Sequence, residues 1–203
     1  MRLLIASDNA KKRAELERLL APLGHELVTP SELGGLPEVD EDRPTFAGNA
    51  AKKARSGALA SGLWTLADDS GLEVEALDGA PGVRSARFAG RHGDDAANNA
   101  LLLERLAGLP PERRGARFVC ALALARPDGE LALEVEGRVD GRILEGARGT
   151  GGFGYDPLFL FTEAGFEETG RPFGELEPAA KARVSHRGRA LRELARRLPE
   201  VMP

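Results

Sequence analysis

The chain has 203 residues, 42% hydrophobic and 30% charged, with a formal net charge of −4 at pH 7. This make-up fits one compact soluble domain or two tightly joined lobes, and it excludes a disordered or collagen-like chain. The acidic balance argues against nucleic acid as a partner, since such proteins carry a basic face.

The opening MRLLIAS is far shorter than a signal-peptide core or the roughly 20 apolar residues of a membrane span, so a cytoplasmic protein with no membrane association is expected. Cys120 is the single cysteine, and there are three histidines. An intramolecular disulfide and a thiolate–imidazole zinc site are therefore excluded, and any metal should have oxygen ligands.

Residues 2–6 form a short apolar run, Ser7-Asp8-Asn9 is polar, and Ala10, Ala14, Leu16, Leu19, Leu20 and Leu23 recur at helical spacing. This reads as strand, tight loop and helix, closed by Gly24. A short strand is predicted from His25 to Val28, followed by a proline- and glycine-containing acidic loop. A second helix, capped by Thr45 or Asn49, runs to about Ser61. Its alanines and glycines suit close packing. Leu63–Ala67 is predicted as a buried strand delivering Asp68-Asp69-Ser70-Gly71 at its end.

Asp94–Ala107 reads as a helix with Leu102, Leu103 and Leu106 inward. Arg117–Ala125 and Leu131–Val139 alternate in polarity around Pro127-Asp128-Gly129, the pattern of a β-hairpin, so the sheet is expected to be mixed. A glycine-rich loop at 146–156 precedes a strand at 157–161. A last helix, Ser185–Leu198, places Leu191, Leu194, Ala195 and Leu198 on one apolar face.

Four stretches carry chemistry. The strand-to-helix turn Ser7-Asp8-Asn9-Ala10-Lys11-Lys12 offers unsatisfied backbone N–H groups and cationic side chains to a phosphate, although an ordinary cap has the same residues. It lacks P-loop spacing. Asp68-Asp69 places two carboxylates side by side, suited to a hard divalent ion such as Mg²⁺ and to orienting or deprotonating a water. The string Gly149-Thr-Gly151-Gly-Phe-Gly154 meets the Gly-x-Gly-x-x-Gly pattern, but no helix follows, so dinucleotide binding is rejected. Phe153 and Tyr155 instead offer aromatic faces to a flat base, with Asp156 able to bond its edge. Finally, Ser185-His186-Arg187 opens the last helix. An arginine there runs against the helix dipole, which points to an anionic or carbonyl partner, and Lys181 lies one turn upstream.

Taken in order, Ser7-x-Asn9-x-x-Lys12 with Glu15, Thr45-Phe46-x-x-Asn49-Ala50-x-x-Lys53-Ala54, Ala67-Asp-Asp-Ser-Gly-Leu72, Pro81-Gly-Val-x-Ser85-Ala-Arg-Phe88, Gly151-Gly-Phe-Gly-Tyr-Asp-Pro157 and Ser185-His-Arg187 resemble the inosine triphosphate pyrophosphatase family. The resemblance spans nearly the whole chain. It implies an α/β protein with a mixed central β-sheet flanked by helices, two lobes with a cleft between them, and a homodimer. The implied reaction converts non-standard purine triphosphates (ITP, dITP, XTP) and water to the monophosphate and pyrophosphate, with Mg²⁺.

By position the resemblance makes Asp69 the catalytic, magnesium-linked carboxylate and Ser70 a substrate contact. Residues Ser7, Asp8, Asn9, Ala10, Lys11 and Lys12, with Lys53, would cradle the triphosphate. Phe153, Gly154, Tyr155 and Asp156 would enclose base and ribose, and Lys181, His186 and Arg187 would read the 6-keto edge. Either Glu41 or Asp40 would complete the metal site, because the acidic stretch Glu38–Asp42 departs from the paired glutamates common in the family. A Maf-type nucleotide pyrophosphatase and a non-hydrolytic nucleotide-binding module are the competing expectations.

Overall fold

The computed structural model describes residues 2–7, 9–20 and 24–202, apart from the side chains of Ala10, Lys11 and Leu19. Its regular elements are β1 (Arg2–Ile5), α1 (Ala10–Leu20), β2 (Glu26–Val28), α2 (Phe46–Ser61), β3 (Trp64–Val74), α3 (Asp95–Arg105), β4 (Gly115–Ala125), β5 (Leu131–Ile143), β6 (Phe159–Phe161), α4 (Pro178–Val184) and α5 (His186–Val201). The strands form one sheet in the order β2-β1-β3-β4-β5-β6. β1 pairs in parallel with β2 and with β3, whereas β5 and β6 are antiparallel, so the sheet is mixed as the hairpin pattern predicts.

Two compact units make up the chain. The first comprises residues 1–69, 120–137 and 187–203, and the second 70–119 and 138–186. In the first, Leu3, Ile5, Leu16, Leu20, Leu66, Leu122 and Leu124 pack with Leu191, Leu194 and Leu198 of α5. Each such leucine contributes about 1.5–3 kcal/mol on full burial. Ala190 and Met202 complete that face; Ala195 is only half-buried. In the second unit, Leu72, Leu102, Leu106, Phe118, Val139, Phe159, Phe161 and Phe173 form the core, and Leu103 packs at its margin.

Two sequence expectations change. β3 does not end at Ala67; it runs through Asp68-Asp69-Ser70-Gly71 to Val74, so the carboxylates sit within a strand. A strand can continue through two charges when each is met by cations, and here both are. β4 is buried almost continuously from Phe118 to Ala125 rather than alternating, because it is an inner strand of the sheet. Lys181 precedes the last helix, in keeping with a start near Ser185. It lies on the separate α4, which breaks at Ser185, where the backbone is extended (ψ 157°).

Caps follow local chemistry. Thr45, not Asn49, caps α2 by accepting from the Gly48 amide at 3.1 Å, and Asp94 caps α3 by accepting from the Ala97 amide at 3.0 Å. Asn49 is thereby left for another task.

Candidate active site

Within the first unit, β3 and α2 place Asp69 and its partners. Successive residues of a strand face opposite ways, so Asp69 shares a face with Thr65 and Ala67, and Asp68 shares the other with Leu66. α2 lies against the Thr65 face, and only glycine permits its approach: a Cβ at Gly57 would lie 2.9 Å from Thr65 Cγ2. Lys53 and Asn49 stand one and two turns upstream of Gly57 on that helix face. Both therefore reach Asp69. Asn49 Nδ2 donates to Asp69 Oδ2 at 3.1 Å, and Lys53 Nζ lies 3.6 Å from Asp69 Oδ1.

The same ammonium donates to Glu41 Oε1 at 2.7 Å. Lys53 is thus shared by two carboxylates. Burial works against its charge, but Asp69, Asp68 and Glu41 outweigh burial and hold its pKa above the ordinary lysine value. For Asp69 burial is the dominant influence and raises the pKa, with Glu41 adding to the rise while Lys53, Lys12 and Asn49 partly offset it.

Asp68 has the opposite setting. Lys12 Nζ lies 3.3 Å and Arg187 Nη2 3.4 Å from its Oδ2. Burial alone would raise its pKa, yet Lys12, Arg187 and Lys53 hold the carboxyl well below the usual range. One carboxylate is a fixed anion that organises cations, and burial pushes its neighbour toward the protonated form.

At the start of α1, Asn9 Oδ1 accepts from the Lys12 amide at 3.0 Å, so this residue does serve as a cap. Lys12 itself turns to Asp68 instead of solvent. The half-buried Ser7 donates its amide to the Ile5 carbonyl at 2.9 Å. Asp8 lies outside the described residues, as do the side chains of Ala10 and Lys11. Glu41, rather than Asp40, joins the Lys53 and Asp69 group; the Asp40 backbone carbonyl accepts from Lys52 Nζ at 2.8 Å.

Arg187 departs most from the sequence reading. Its guanidinium is buried and donates to Glu15 Oε2 at 2.6 Å and to Asp68 Oδ2 at 3.4 Å. The anion that a cation at a helix start calls for is supplied by the chain's own carboxylates, so the fork assigned to a base edge is engaged within the first unit. Glu15 and Asn49 were missing from the expected site. The spacing of 49, 53 and 57 along one helix face was the available signal for Asn49; no local pattern pairs Glu15 with a residue 172 positions away.

The second unit holds the aromatic loop. Asp156 Oδ2 accepts from the Phe153 amide at 2.8 Å and from Lys181 Nζ at 2.6 Å, and that ammonium lies 4.8 Å from the Phe153 ring centre. Gly152 makes this compact turn possible, with φ +75° and no room for a methyl group beside the Asp156 carboxylate. Phe153, Asp156 and Lys181 therefore come together as expected.

Tyr155 does not offer a free aromatic face. Its ring is in the core, and its hydroxyl donates to the Ser85 carbonyl at 2.9 Å, the partner a buried phenol needs. The His186 ring is likewise buried, stacked on Phe118 with centres 4.7 Å apart. Ser70, half-buried, is the first residue of this unit on β3.

Among the described residues, no three His, Cys, Asp or Glu side chains gather into a ready-made metal cage. The donor set nevertheless fits Mg²⁺. Glu41 and Asp69 direct oxygens at one cationic position, now that of the Lys53 ammonium, and this ion is commonly held by one or two carboxylates with phosphate oxygens completing its shell.

Known proteins similar to this one match it over its full length. A dITP/XTP pyrophosphatase of Corynebacterium diphtheriae is 51% identical over 197 residues, covering 96% of this chain and 95% of its own. A protein of the same name from an Exiguobacterium species is 53% identical over 203 residues, covering 100% and 98%. The solved structure of a HAM1 protein from Coxiella burnetii superposes with a TM-score of 0.87 at 38% identity, covering 98% of this chain and 99% of that one. The family model described as the Ham1 family matches residues 3–197, and with a fold and full-length relatives that agree, the chain belongs to the Ham1 family.

Proposed function

We propose that this protein hydrolyses non-standard purine nucleoside triphosphates, dITP and XTP among them and ITP by the same chemistry, to the monophosphate and pyrophosphate. The observation that carries the reading is the buried Asp69, its pKa raised, held between Asn49 and Lys53 beside a second cation centre built on Asp68. The full-length relatives named dITP/XTP pyrophosphatase support the substrate class.

In this mechanism Lys12 and Lys53 neutralise the polyphosphate, and the start of α1 adds backbone N–H groups. Asp69 orients a water and takes its proton as the oxygen bonds to the α phosphorus. The bond from that phosphorus to the bridging oxygen breaks, and pyrophosphate leaves. Asn49 holds the Asp69 carboxylate in the required orientation. Glu41 and Asp69 would hold Mg²⁺, which when bound supplies further charge neutralisation at phosphate oxygens.

Phe153 supplies a face for the base, and Asp156 fixes Lys181 near it. An ammonium has N–H donors and no acceptor, so a 6-keto oxygen matches it and the 6-amino group of adenine does not. A mismatch of this kind costs about 1–3 kcal/mol, or roughly ten- to a hundredfold in discrimination. Arg187 acts by fixing Asp68 and Glu15. The homodimer and the cytoplasmic location implied by the resemblance belong to the same proposal; no helix among the described residues is long and apolar enough to cross a membrane.

Pyrophosphate release from ITP, XTP, dITP, ATP and GTP, with magnesium and with chelator, tests this reading. Metal-dependent release from the first three and little from ATP is the expected result; GTP, which keeps the 6-keto oxygen, is not discriminated by Lys181 and serves as the comparison. Release from ATP at the same rate would remove the Lys181 argument, and no release from any substrate would favour a binding module.

A further inference from the structure

In the second unit, one residue of the aromatic loop is held at both ends by one helix. The Gly154 amide donates to Asp95 Oδ2 at 2.9 Å, and the Gly154 carbonyl accepts from Asn99 Nδ2 at 3.0 Å. Asp95 and Asn99 are four residues apart on α3 and so share a face, while Gly154 lies 59 and 55 positions further along the chain. Gly154 has φ +61°, a left-handed conformation that glycine adopts without strain.

The contacts on either side of Gly154 make this clamp consequential. Upstream, the Phe153 amide is fixed by Asp156; downstream, the Tyr155 hydroxyl is fixed by the Ser85 carbonyl. The Ser85 hydroxyl is itself locked, donating to the Gly82 carbonyl at 2.7 Å and accepting from the Leu72 amide at 2.9 Å. Asp95 also lies in the N-terminal turn of α3, the end of a helix that suits an acidic side chain. The bond from the Gly154 amide to Asp95 is charge-assisted and of the stronger kind.

We infer that Asp95, seconded by Asn99, is a positioning residue for base recognition: by holding the Gly154 peptide it presets the Phe153 ring and the Asp156–Lys181 pair before substrate arrives. This rests on the assignment of that loop to the purine base in the proposed function. Pre-organisation of this kind lowers the ordering cost of binding and leaves the reacting phosphorus untouched. Asp95 therefore governs KM and base discrimination, not the chemical step.

The test compares wild type, Asp95→Ala, Asp95→Asn and Asn99→Ala in steady-state kinetics with dITP and ATP, alongside amide hydrogen exchange of residues 151–156. In Asp95→Ala, KM for dITP should rise about tenfold with kcat within about twofold, and the dITP-to-ATP preference should narrow. Exchange at 151–156 should quicken about tenfold or more while the remainder of the second unit keeps its protection. Asp95→Asn, whose side-chain oxygen still accepts the Gly154 amide, should restore most of KM, and Asn99→Ala should show a smaller change of the same kind.

Unchanged KM in Asp95→Ala despite faster loop exchange would overturn the role, as would a loss confined to kcat or a failure of Asp95→Asn to rescue. A variant that merely folds poorly would lose active enzyme at unchanged KM, and its exchange would rise throughout the second unit. If wild type released no pyrophosphate, the functional reading would fall and take this role with it; an active wild type with an unaltered Asp95→Ala would remove this role alone.

Discussion

Asp68 and Asp69 are adjacent on β3 yet face opposite sides of the strand and have opposite electrostatics: Lys12 and Arg187 hold the first ionised, while burial holds the second toward its protonated form. This division of roles between neighbours frames what the molecule should do when either is changed.

Asp69→Asn should lower kcat by about 10²- to 10⁴-fold, the contribution typical of a positioned general base, with KM for dITP little changed. Because burial raises the Asp69 pKa above its ordinary 3.8, the acid limb of kcat/KM, which reports the free enzyme, should lie above that value. Rate falls as pH drops through the raised pKa and the base takes up a proton. A pH profile of wild type and variant checks both points, since the variant should lose that limb.

Asp68 governs stability. Its folded-state pKa is depressed, so its contribution is present above the ordinary value of 3.8 and is lost as pH falls toward the depressed one. Urea unfolding should therefore show wild type losing stability below about pH 4. Asp68→Asn leaves Lys12 and Arg187 without this anion and should cost about 3 kcal/mol at pH 7, with a shallower acid dependence.

The two acidic candidates for the metal separate cleanly. Glu41 contacts Lys53 at 2.7 Å, while Asp40 contributes a backbone carbonyl to Lys52. Glu41→Gln should raise the magnesium concentration for half-maximal pyrophosphate release by about tenfold, as expected when one of two carboxylate ligands is lost. Asp40→Asn should leave the titration unchanged.

Gly57→Val tests how α2 delivers its side chains. The added carbons would meet Thr65 Cγ2, a β-branched side chain with little freedom to move. Overpacking of this kind costs about 1–3 kcal/mol, and displacement of the helix should withdraw Lys53 and Asn49 from Asp69. Thermal unfolding should show the stability loss, and kcat should fall more than KM rises.

Much of the fold was legible along the chain because its elements are written in local periodicity. The β4–β5 hairpin follows from two strand-like runs around Pro127-Asp128-Gly129, and α5 from leucines at helical spacing. The run of β3 through Asp68 and Asp69 was not legible. Two adjacent carboxylates look like a strand end until the cations that neutralise them, Lys12, Lys53 and Arg187, arrive from other elements.

The candidate site divides the same way. Residue types in order were enough to mark Asp69, Lys12, Lys53, Phe153, Asp156 and Lys181 as candidates and to point to nucleotide chemistry, because an ionisable group or a ring belongs to the side chain itself. Partners were decided only in the tertiary structure: Arg187 with Glu15 and Asp68, Tyr155 with Ser85, Asn49 with Asp69, Gly154 with Asp95. The physical reason is that a pKa or a hydrogen bond depends on distance in space and on exclusion of water, and both are set by packing between segments far apart in the chain.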